Sequence, residues 1–406
     1  MSFQFAERVR LVQSSAVREI LKVTAQPDVI SFAGGLPAPE LFPAEAIKKA
    51  YQQVLSEEAS SALQYSTTEG YLPLREFLAA RMHALGCRQV TSANILITNG
   101  SQQALDLLAK LFINPGDTVL LESPTYLAAL QTLHSYQAHL VSLPVDADGM
   151  VVENLEDVIV RYNPRLIYTV PNFQNPTGTT LSPDRRQHLA RVAGAHRIPV
   201  IEDDPYGELI YEGYPLPPVK SFDQEDTVIY LSTFSKIIAP GLRLGWAIGN
   251  HEAISKMVLL KQCTDLHTST LTQQVIYRYL ADHNTEQHVR RLRQEYRRRR
   301  DLMLEQLSVW FPHEARWTTP RGGMFLWVTL PAGIDCQALL PAAVSHRVAY
   351  VPGAPFFPNG GGRNTMRLNF SNSLPEHISL GVKRLGNLIA GVAPDSGRAD
   401  AFPPLA

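Results

Sequence analysis

The chain has 406 residues, of which 45% are hydrophobic and 18% charged, and this predicts a globular protein with one large and one smaller domain. With 37 basic and 38 acidic residues, the charge balance gives no support to nucleic-acid or membrane-surface binding. Three distant cysteines, scattered histidines and the lack of a signal-like or membrane-spanning apolar stretch predict a cytoplasmic protein without a metal site.

The first predicted elements are a helix over residues 14–22 and a short strand over 29–33. The strand leads into Gly34-Gly35-Leu36-Pro37, a turn that lets the backbone approach a ligand closely. On these residues alone, a plain tight turn explains the pattern equally well. A second helix is predicted over 44–58.

Apolar strands and helical patterns alternate through the middle of the chain. At residues 95–101 a strand, a glycine turn and a helix N-terminus follow one another, which favours a phosphate, although many α/β proteins have this turn without a ligand. The alternation predicts an α/β fold in which helices cover both faces of a mostly parallel sheet. The later elements are strands at 118–121, 138–143, 165–170, 199–202, 227–231 and 244–248, and helices at 125–136, 152–162 and 183–196.

Ligands of such sheets bind beyond the carboxyl ends of the strands, and polar, acidic and aromatic residues collect there in this chain. The four groups are Glu122–Tyr126, Pro171–Gly178, Glu202–Tyr206 and the residues that follow the strand at 227–231. A plain scaffold needs only turns at these positions, so we expect a ligand site.

The last of these groups contains one lysine, Lys236, among small, apolar and hydroxyl-bearing residues, with Arg243 seven positions later. Burial lowers the pKa of a lysine, and a neutral amine is a nucleophile that forms Schiff bases with aldehydes. The hydroxyls and Arg243 suit a phosphate monoester. Together they indicate pyridoxal phosphate (PLP), an aldehyde that carries a phosphate; a surface loop with an ordinary lysine is the alternative.

The last third of the chain predicts long helices over 251–306, followed by a smaller α+β domain with a helix near 336–346 and a strand at 365–370. We interpret the arginine-rich run at 290–300 as a solvated helix face rather than a nucleic-acid site. The predicted boundaries are 1–45 for an N-terminal arm and part of the small domain, 46–290 for the large PLP-binding domain, 291–395 for the C-terminal small domain and 396–406 for a tail.

These motifs, in this order, resemble the fold-type I PLP enzymes, and specifically the class I/II aminotransferases. The markers are Asn175-Pro176-Thr177-Gly178, Asp203 with Tyr206, Lys236 with Arg243, and Arg367. Residues 31–43 and 63–66 look like the bacterial 2-aminoadipate and kynurenine aminotransferase branch, and the resemblance covers the chain from about residue 10 to 390. It implies a PLP fold-type I large domain and a smaller α+β domain.

The resemblance also implies a role for each cofactor-binding residue. Lys236 would hold PLP as a Schiff base and move the proton between the substrate Cα and the cofactor. Asp203 would pair with the ring nitrogen, Asn175 and Tyr206 would hydrogen-bond the ring's phenolic oxygen, and Tyr126 would stack on the ring. The phosphate would be held by residues of two turns and by a tyrosine from the second subunit of a homodimer, namely Ser101, Gln102, Thr233, Ser235, Arg243 and Tyr65.

For the substrate, the resemblance implies that Arg367 binds the α-carboxylate, helped by Asn175, with the backbone of Gly35 close by. Arg18 matches by position a mobile arginine that receives a side-chain carboxylate in the 2-aminoadipate enzymes. An inward Arg18 would favour dicarboxylic donors, and an outward one would admit leucine-like or aromatic donors. The implied reaction is a ping-pong transfer from an L-amino acid to a 2-oxo acid, with glutamate and 2-oxoglutarate as one pair.

Two other functions remain to be weighed. Another PLP reaction on this fold, such as β-elimination from a sulfur amino acid, would use the same lysine chemistry. A transcription regulator with an aminotransferase-like sensor domain would carry a winged-helix segment ahead of that domain. Only about thirty residues precede Ser31, so we expect no such segment.

Overall fold

The computed structural model of the protein describes residues 3–10, 20, 28–282 and 285–392. Arg18, the predicted tail over 396–406 and, apart from Ile20, the predicted helix over 14–22 lie outside the described residues. Within those ranges the α-helices are α1 (Glu7–Arg10), α2 (Ala44–Glu57), α3 (Ala59–Ala62), α4 (Leu72–Ala84), α5 (Ser101–Phe112), α6 (Leu127–Ser135), α7 (Leu155–Tyr162), α8 (Pro183–Ala195), α9 (His251–Gln262), α10 (Thr270–Asp282), α11 (Thr285–Trp310), α12 (Cys336–Ser345) and α13 (Pro375–Val392).

Most of the strands belong to one large sheet and one small sheet. In chain order the strands are β1 (Ile30–Ser31), β2 (Ile95–Thr98), β3 (Thr118–Ser123), β4 (His139–Asp146), β5 (Gly149–Met150), β6 (Leu166–Thr169), β7 (Val200–Asp203), β8 (Val228–Thr233), β9 (Gly245–Ile248), β10 (Arg316–Trp317), β11 (Phe325–Thr329), β12 (Val348–Ala349), β13 (Val351–Pro352) and β14 (Thr365–Asn369).

The large sheet has the strand order β2-β9-β8-β7-β6-β3-β4-β5. Strands β8, β7, β6, β3 and β4 are parallel to their neighbours in that run, which confirms the predicted mostly parallel sheet. Strand β9 differs because it is antiparallel to both β2 and β8. No α-helix lies between β8 and β9, and a parallel connection needs a longer crossover.

Helices cover both faces of the large sheet, as the uniformly apolar strands predict. Alternate residues of each strand point to opposite faces. Leu120, Ile167 and Val200 pack in one cluster with residues of α7 and α8, whereas Val119 and Ile201 belong to the main core. The edge of this sheet is therefore a rigid support for side chains that follow the strands.

The C-terminal part contains the small antiparallel sheet, in the order β10-β11-β14-β13. Strand β1 pairs in parallel with β12, so the segment at residues 30–31 is hydrogen-bonded to this C-terminal part of the molecule. Helix α11 crosses the boundary predicted at residue 290. The division of the chain at 45, 290 and 395 stays a prediction.

The arginine-rich run is partly buried, and its interpretation as a solvated helix face is wrong for two residues. Arg299 and Arg300 are 2% and 3% exposed. Arg299 pairs with Glu40 and donates to the carbonyl oxygen of Ser371 (2.7 Å), and Arg300 pairs with Glu212. A buried guanidinium needs such acceptors, and here they come from segments far away in the sequence.

No helix in the described ranges is both long enough and apolar enough to cross a lipid bilayer. Among the same residues, no group of three or more His, Cys, Asp or Glu side chains is arranged to bind a metal ion. Cys87, Cys263 and Cys336 are free thiols.

Candidate active site

Four of the predicted site residues lie at one edge of the large sheet. Tyr126 follows β3, Asn175 follows β6, Asp203 is the last residue of β7, and Lys236 lies in the tight turn after β8. These strands are adjacent and parallel, so their carboxyl ends meet at the same edge. Residues that are up to about a hundred positions apart in the sequence are thereby brought to one site.

Lys236 is half-buried, and its Nζ donates a hydrogen bond to the carbonyl oxygen of Gly35 at 2.9 Å. Burial, together with the positive charges of Arg367 and Arg243, lowers the pKa of this amine to about 8, and Asp203 opposes the shift. Much of the amine is therefore neutral near pH 8, and the neutral form attacks an aldehyde.

Arg367 is held on β14 in a buried position, 3% exposed. Its Nη1 donates to Asn175 Oδ1 and its Nη2 to the carbonyl oxygen of Ala33, both at 2.7 Å. The guanidinium carbon lies 4.3 Å from the centre of the Phe325 ring, and Nε has no partner among the described residues. Burial lowers the pKa of Arg367 to about 10. A fixed guanidinium with an unsatisfied N–H suits a carboxylate ligand.

Lys236 and Arg367 contact the same short segment of chain. The lysine binds the carbonyl oxygen of Gly35 and the arginine that of Ala33, two residues earlier. Two residues span at most about 7 Å of chain. A single small molecule that carries a carboxylate can therefore reach both side chains at once.

Asp203 is 4% exposed and has one oxygen bonded and one free of protein partners. Its Oδ2 accepts a hydrogen bond from the hydroxyl of Tyr168 at 2.8 Å, whereas Oδ1 is buried and has no partner in the part of the chain that the structure describes. The pKa of Asp203 is raised to about 7, because burial and the charge of Asp204 outweigh two opposing influences. The hydrogen bond from Tyr168 and the positive charge of Lys236 both favour the ionised form. A buried acceptor without a partner is costly, so Oδ1 is suited to a ligand donor.

A buried carboxylate holds the loop that carries Asn175. Glu122 accepts hydrogen bonds from Thr169 Oγ1 at 2.6 Å and from Gln174 Nε2 at 2.9 Å. The other end of the Gln174 amide, Oε1, accepts from Thr177 Oγ1 at 2.7 Å. Burial raises the pKa of Glu122 to about 7, while these hydrogen bonds lower it. The strand end and the loop are thus tied together on both sides of Asn175.

Two tyrosines line this group of residues. Tyr206 is 4% exposed, and its ring meets the Phe325 ring edge-on with the centres 5.9 Å apart. Burial raises the pKa of Tyr206, and a hydrogen bond with Asn175 lowers it. Burial raises the pKa of the half-buried Tyr126 to about 12, and the nearby Asp203 adds to this shift. Both phenols are therefore neutral donors.

The glycine turn before α5 faces Arg243. Gly100 has φ 75°, and a Cβ atom there would lie 2.5 Å from Arg243 Nη2, so the position requires glycine. The first N–H groups of α5, beginning at Ser101, have no acceptor within the helix and favour an anion. The side-chain amide of Gln102 donates to Thr132 Oγ1 at 2.9 Å, so this amide is already hydrogen-bonded within the chain.

The turn after β8 packs against the glycine turn. Thr233 Oγ1 accepts from the backbone N–H of Ser235 at 3.1 Å and donates to the carbonyl oxygen of Leu244 at 2.9 Å. A Cβ atom on Gly245 would lie 2.6 Å from the backbone nitrogen of Ser101, which shows how closely the two turns approach. Hydroxyls, helix N–H groups and Arg243 therefore surround one small region.

A buried lysine supports the glycine turn from behind. Lys261 donates to Asp265 Oδ1 at 2.9 Å and to Gln103 Oε1 at 2.7 Å. Asp265 Oδ2 accepts from Asn99 Nδ2 at 2.5 Å. This network fixes the residues on either side of Gly100.

The described residues fit PLP on three independent observations. A neutral lysine amine can meet the aldehyde, the orphaned Oδ1 of Asp203 can accept from a protonated ring nitrogen, and the glycine turn with Arg243 can bind a phosphate.

Two predicted residues are not brought into this group by the described chain. Tyr65 is 78% exposed, and its ring contacts His267 edge-on with the centres 5.9 Å apart. Arg18 lies outside the described residues. Among the described residues, no contact joins Tyr65 to Lys236.

Sequence reasoning gave no role to several residues of the site, although Glu122 stood in one of the four predicted groups. Tyr168, Glu122 and Phe325 contact Asp203, the Asn175 loop and Arg367, respectively. One signal was available for Tyr168, because a buried tyrosine inside an apolar strand usually hydrogen-bonds its hydroxyl. The pairing of Phe325 with Arg367 depends on the register of β11 and β14, which the sequence does not reveal.

Comparison with known proteins agrees with this geometry. A family model described as "Aminotransferase class I and II" matches residues 27–385. The chain is 44% identical to aromatic-amino-acid aminotransferase 1 of Thermococcus litoralis, over 95% of this chain and 94% of that protein. It is 42% identical to a 2-aminoadipate transaminase of Thermus thermophilus, over 96% and 97%.

A solved structure is similarly close. The chain superposes on a kynurenine aminotransferase of Pyrococcus horikoshii, solved in complex with PMP, with a TM-score of 0.91 and 45% sequence identity. The match covers 96% of this chain and 98% of that one. The likeness therefore extends over both sheets.

Proposed function

Because the chain belongs to the class I and II aminotransferase family and is a PLP-dependent aminotransferase, we propose that its substrates are an L-amino acid and a 2-oxo acid, with glutamate and 2-oxoglutarate as one pair. The observation that carries this proposal is the shared contact of Lys236 and Arg367 with the segment from Ala33 to Gly35. It sets a carboxylate-binding group and a proton-moving group within reach of one amino acid.

Lys236 performs the proton transfer in this proposal. Bound PLP supplies the electron-withdrawing ring that makes the substrate Cα–H bond acidic. With PLP bound, the Lys236 amine would take the proton from the substrate Cα and deliver it to the cofactor carbon that carried the aldehyde oxygen. Its lowered pKa, about 8, suits a base at neutral pH.

Arg367 and Asn175 fix the substrate. The α-carboxylate binds the guanidinium, whose orientation is set by Asn175 Oδ1 and Ala33 and by the Phe325 ring beneath it. Because every amino acid carries this carboxylate, these residues serve all donors alike. The backbone of Gly35 lies beside the same position.

The remaining predicted residues hold the cofactor. Asp203 would accept from the ring nitrogen, Asn175 and Tyr206 would hydrogen-bond the phenolic oxygen, and Tyr126 would stack on the ring. The phosphate binds residues of the two neighbouring turns, where Gln102 contributes its backbone because its amide is already bonded: Ser101, Gln102, Thr233, Ser235 and Arg243.

The donor specificity rests on the relatives and on one arginine. The named relatives act on aromatic amino acids and on 2-aminoadipate, so we propose that the side-chain pocket accepts both kinds. Arg18 binds the distal carboxylate of 2-aminoadipate or glutamate and moves away for leucine-like or aromatic side chains.

We further propose that the enzyme is a cytoplasmic homodimer. Tyr65 is too exposed to act within its own chain, and a second copy would cover it and receive it at the phosphate. Sedimentation should therefore find the active species as a dimer; a catalytically competent monomer would refute this assignment.

The test of the reaction is a single turnover followed by absorbance. L-Glutamate without a 2-oxo acid should remove the visible absorbance of the cofactor stoichiometrically, and 2-oxoglutarate should restore it. A β-elimination lyase would instead leave the cofactor spectrum unchanged after turnover and release ammonia and a 2-oxo acid from a sulfur amino acid. That second result would overturn the proposal.

A further inference from the structure

Two tyrosine–aspartate pairs involve consecutive residues at the end of β7. The hydroxyl of Tyr168, on β6, donates to Asp203 Oδ2 at 2.8 Å, and that of Tyr230, on β8, donates to Asp204 Oδ2 at 3.0 Å. All four side chains are buried. The two pairs have the same chemistry and nearly the same length, and they belong to consecutive residues of one strand end.

The two pairs differ in whether the second carboxylate oxygen accepts a hydrogen bond from the protein. Asp204 Oδ1 accepts from the backbone N–H of Gly207 at 2.8 Å, so both of its oxygens are used within the fold. Among the described residues, Asp203 Oδ1 has no partner. The Tyr230 pair is thus complete in itself, and the Tyr168 pair leaves one acceptor for a ligand.

A hydrogen bond to one carboxylate oxygen has two consequences for the other. It fixes the rotation of the carboxyl group about its Cα–Cβ–Cγ bonds, and it stabilises the charged form. Burial and the nearby charge of Asp204 favour the neutral form of Asp203, and Lys236 and Tyr168 favour the charged one. The hydroxyl of Tyr168 stays protonated because burial and Asp203 raise its pKa well above the ordinary value.

We propose that Tyr168 is a positioning residue for the cofactor: its hydroxyl keeps Asp203 ionised and turned so that Oδ1 meets the protonated ring nitrogen of PLP. The proposal rests on the proposed role of Asp203. Tyr168 touches neither the substrate nor the reacting atoms, and it acts only through the carboxylate. Loss of its hydroxyl should weaken the ring's ability to withdraw electrons without changing how the substrate binds.

The test compares Tyr168→Phe with the matched control Tyr230→Phe, each of which removes one buried hydroxyl. The probes are PLP and an analogue in which C–H replaces the ring nitrogen, titrated into cofactor-free protein. A hydrogen bond to a charged group supports a loss of about 10- to 100-fold. We expect Tyr168→Phe to lower PLP affinity by that factor and to leave analogue affinity unchanged or tighter.

Kinetics give a second measurement. In Tyr168→Phe, kcat for glutamate should fall by a similar factor while KM stays within about twofold, because Arg367 and Asn175 are untouched. Tyr230→Phe should leave cofactor affinity and kcat at the wild-type values. The melting temperature of both cofactor-free variants checks that the fold is retained.

The outcomes separate the inference from the function on which it rests. Equal loss of PLP and analogue affinity in Tyr168→Phe, or wild-type behaviour with both, would overturn the positioning role. Asp203→Asn is the reference for the parent proposal. If it binds PLP and turns over like the wild type, Asp203 does not face the ring nitrogen and the parent assignment fails; if it is inactive while Tyr168→Phe is normal, only the inference fails.

Discussion

The ring end of the site and its entrance are held in different ways. The ring end comprises Asp203, Asn175, Tyr206 and Arg367, which lie on or directly after strands and are all at most 4% exposed. Each of them bonds a residue of another element. Two buried atoms, Asp203 Oδ1 and Arg367 Nε, lack a partner among the described residues, and we propose that the cofactor and the substrate supply those partners.

We assign to the entrance the residues near the proposed substrate side chain, Gly35, Leu36 and Arg18, and we add Tyr65 as the residue proposed to reach a second subunit. Leu36 is 44% exposed and Tyr65 is 78% exposed. Gly35 bonds Lys236 through its backbone, so a change of side chain there leaves the contact in place. Arg18 lies outside the described residues. The entrance is therefore not completed by the described chain.

This difference explains why the reaction is easier to assign than the substrate. Proton transfer and carboxylate binding depend on buried groups with few alternatives, because a buried charge without its partner is costly. In the proposal, side-chain selection depends on exposed groups and on Arg18. Mutations at the ring end should therefore affect all donors equally, and mutations at the entrance should discriminate between them.

The largest loss of kcat/KM is expected from Arg367→Ala, a substitution at the ring end of the site. Truncating one member of a buried charged pair costs about 2–5 kcal/mol, so kcat/KM should fall about 30- to 5,000-fold. The fall should be the same for glutamate, 2-aminoadipate and phenylalanine because all carry the α-carboxylate. Steady-state kinetics with the three donors provide the measurement.

Arg363→Ala is the matched control for that variant. Arg363 pairs with Asp335 at 2.6 Å on the surface, 79% exposed, and such pairs contribute little. Its kcat/KM values should stay within about twofold of the wild type. A donor-dependent loss in Arg367→Ala would place this arginine at the entrance instead.

The pH dependence of cofactor loading tests the electrostatics of the ring end. Below a pKa of about 8 the Lys236 amine is protonated and does not attack the aldehyde. The rate at which cofactor-free protein gains visible absorbance from PLP should therefore fall about tenfold for each pH unit below 8 and level off above it. An inflection near the ordinary lysine pKa, above 10, would mean that the amine is not desolvated.

A smaller and selective effect is expected at the entrance. Arg18→Ala should raise KM for 2-aminoadipate and glutamate about tenfold, the value of one well-formed charge pair, while leucine and phenylalanine are spared. Donor kinetics measured in parallel decide the matter. An equal loss for every donor would mean that Arg18 supports the fold or has been assigned wrongly.

The smallest effect is expected from Tyr65→Phe. The proposed bond from Tyr65 is one of several to the phosphate, and losing a single hydrogen bond costs about 0.5–1.5 kcal/mol, so the dissociation constant of PLP should rise about two- to tenfold. Tyr214→Phe is the control, because Tyr214 is 86% exposed and has no assigned role. Equal affinities in Tyr65→Phe and the wild type would remove Tyr65 from the phosphate site.

The sequence was sufficient for the fold class, the family and the identity of the residues after each strand. Apolar strands with polar ends predict which residues reach one edge, and Asp203, Asn175 and Lys236 were found in this way. The reversal of β9 was not predicted, because strand direction follows from connection length and packing rather than from residue type.

The sequence does not predict which buried polar side chains pair with one another. Arg299 and Arg300 belong to a run that predicts exposure, and their acceptors Glu40 and Glu212 lie in segments distant in the sequence. The bond from Tyr168 to Asp203 likewise requires the register of two neighbouring strands. Local patterns specify elements, whereas the pairing of buried polar groups is decided only when the elements pack.

The most direct test of the account is Lys236→Ala, observed by absorbance in a single turnover with L-glutamate. The account predicts that this variant shows no visible absorbance from a Schiff base with the protein and transfers no amino group, while its melting temperature without cofactor stays close to the wild-type value. A Lys236→Ala enzyme that retains full transamination activity would contradict the assignment of the site.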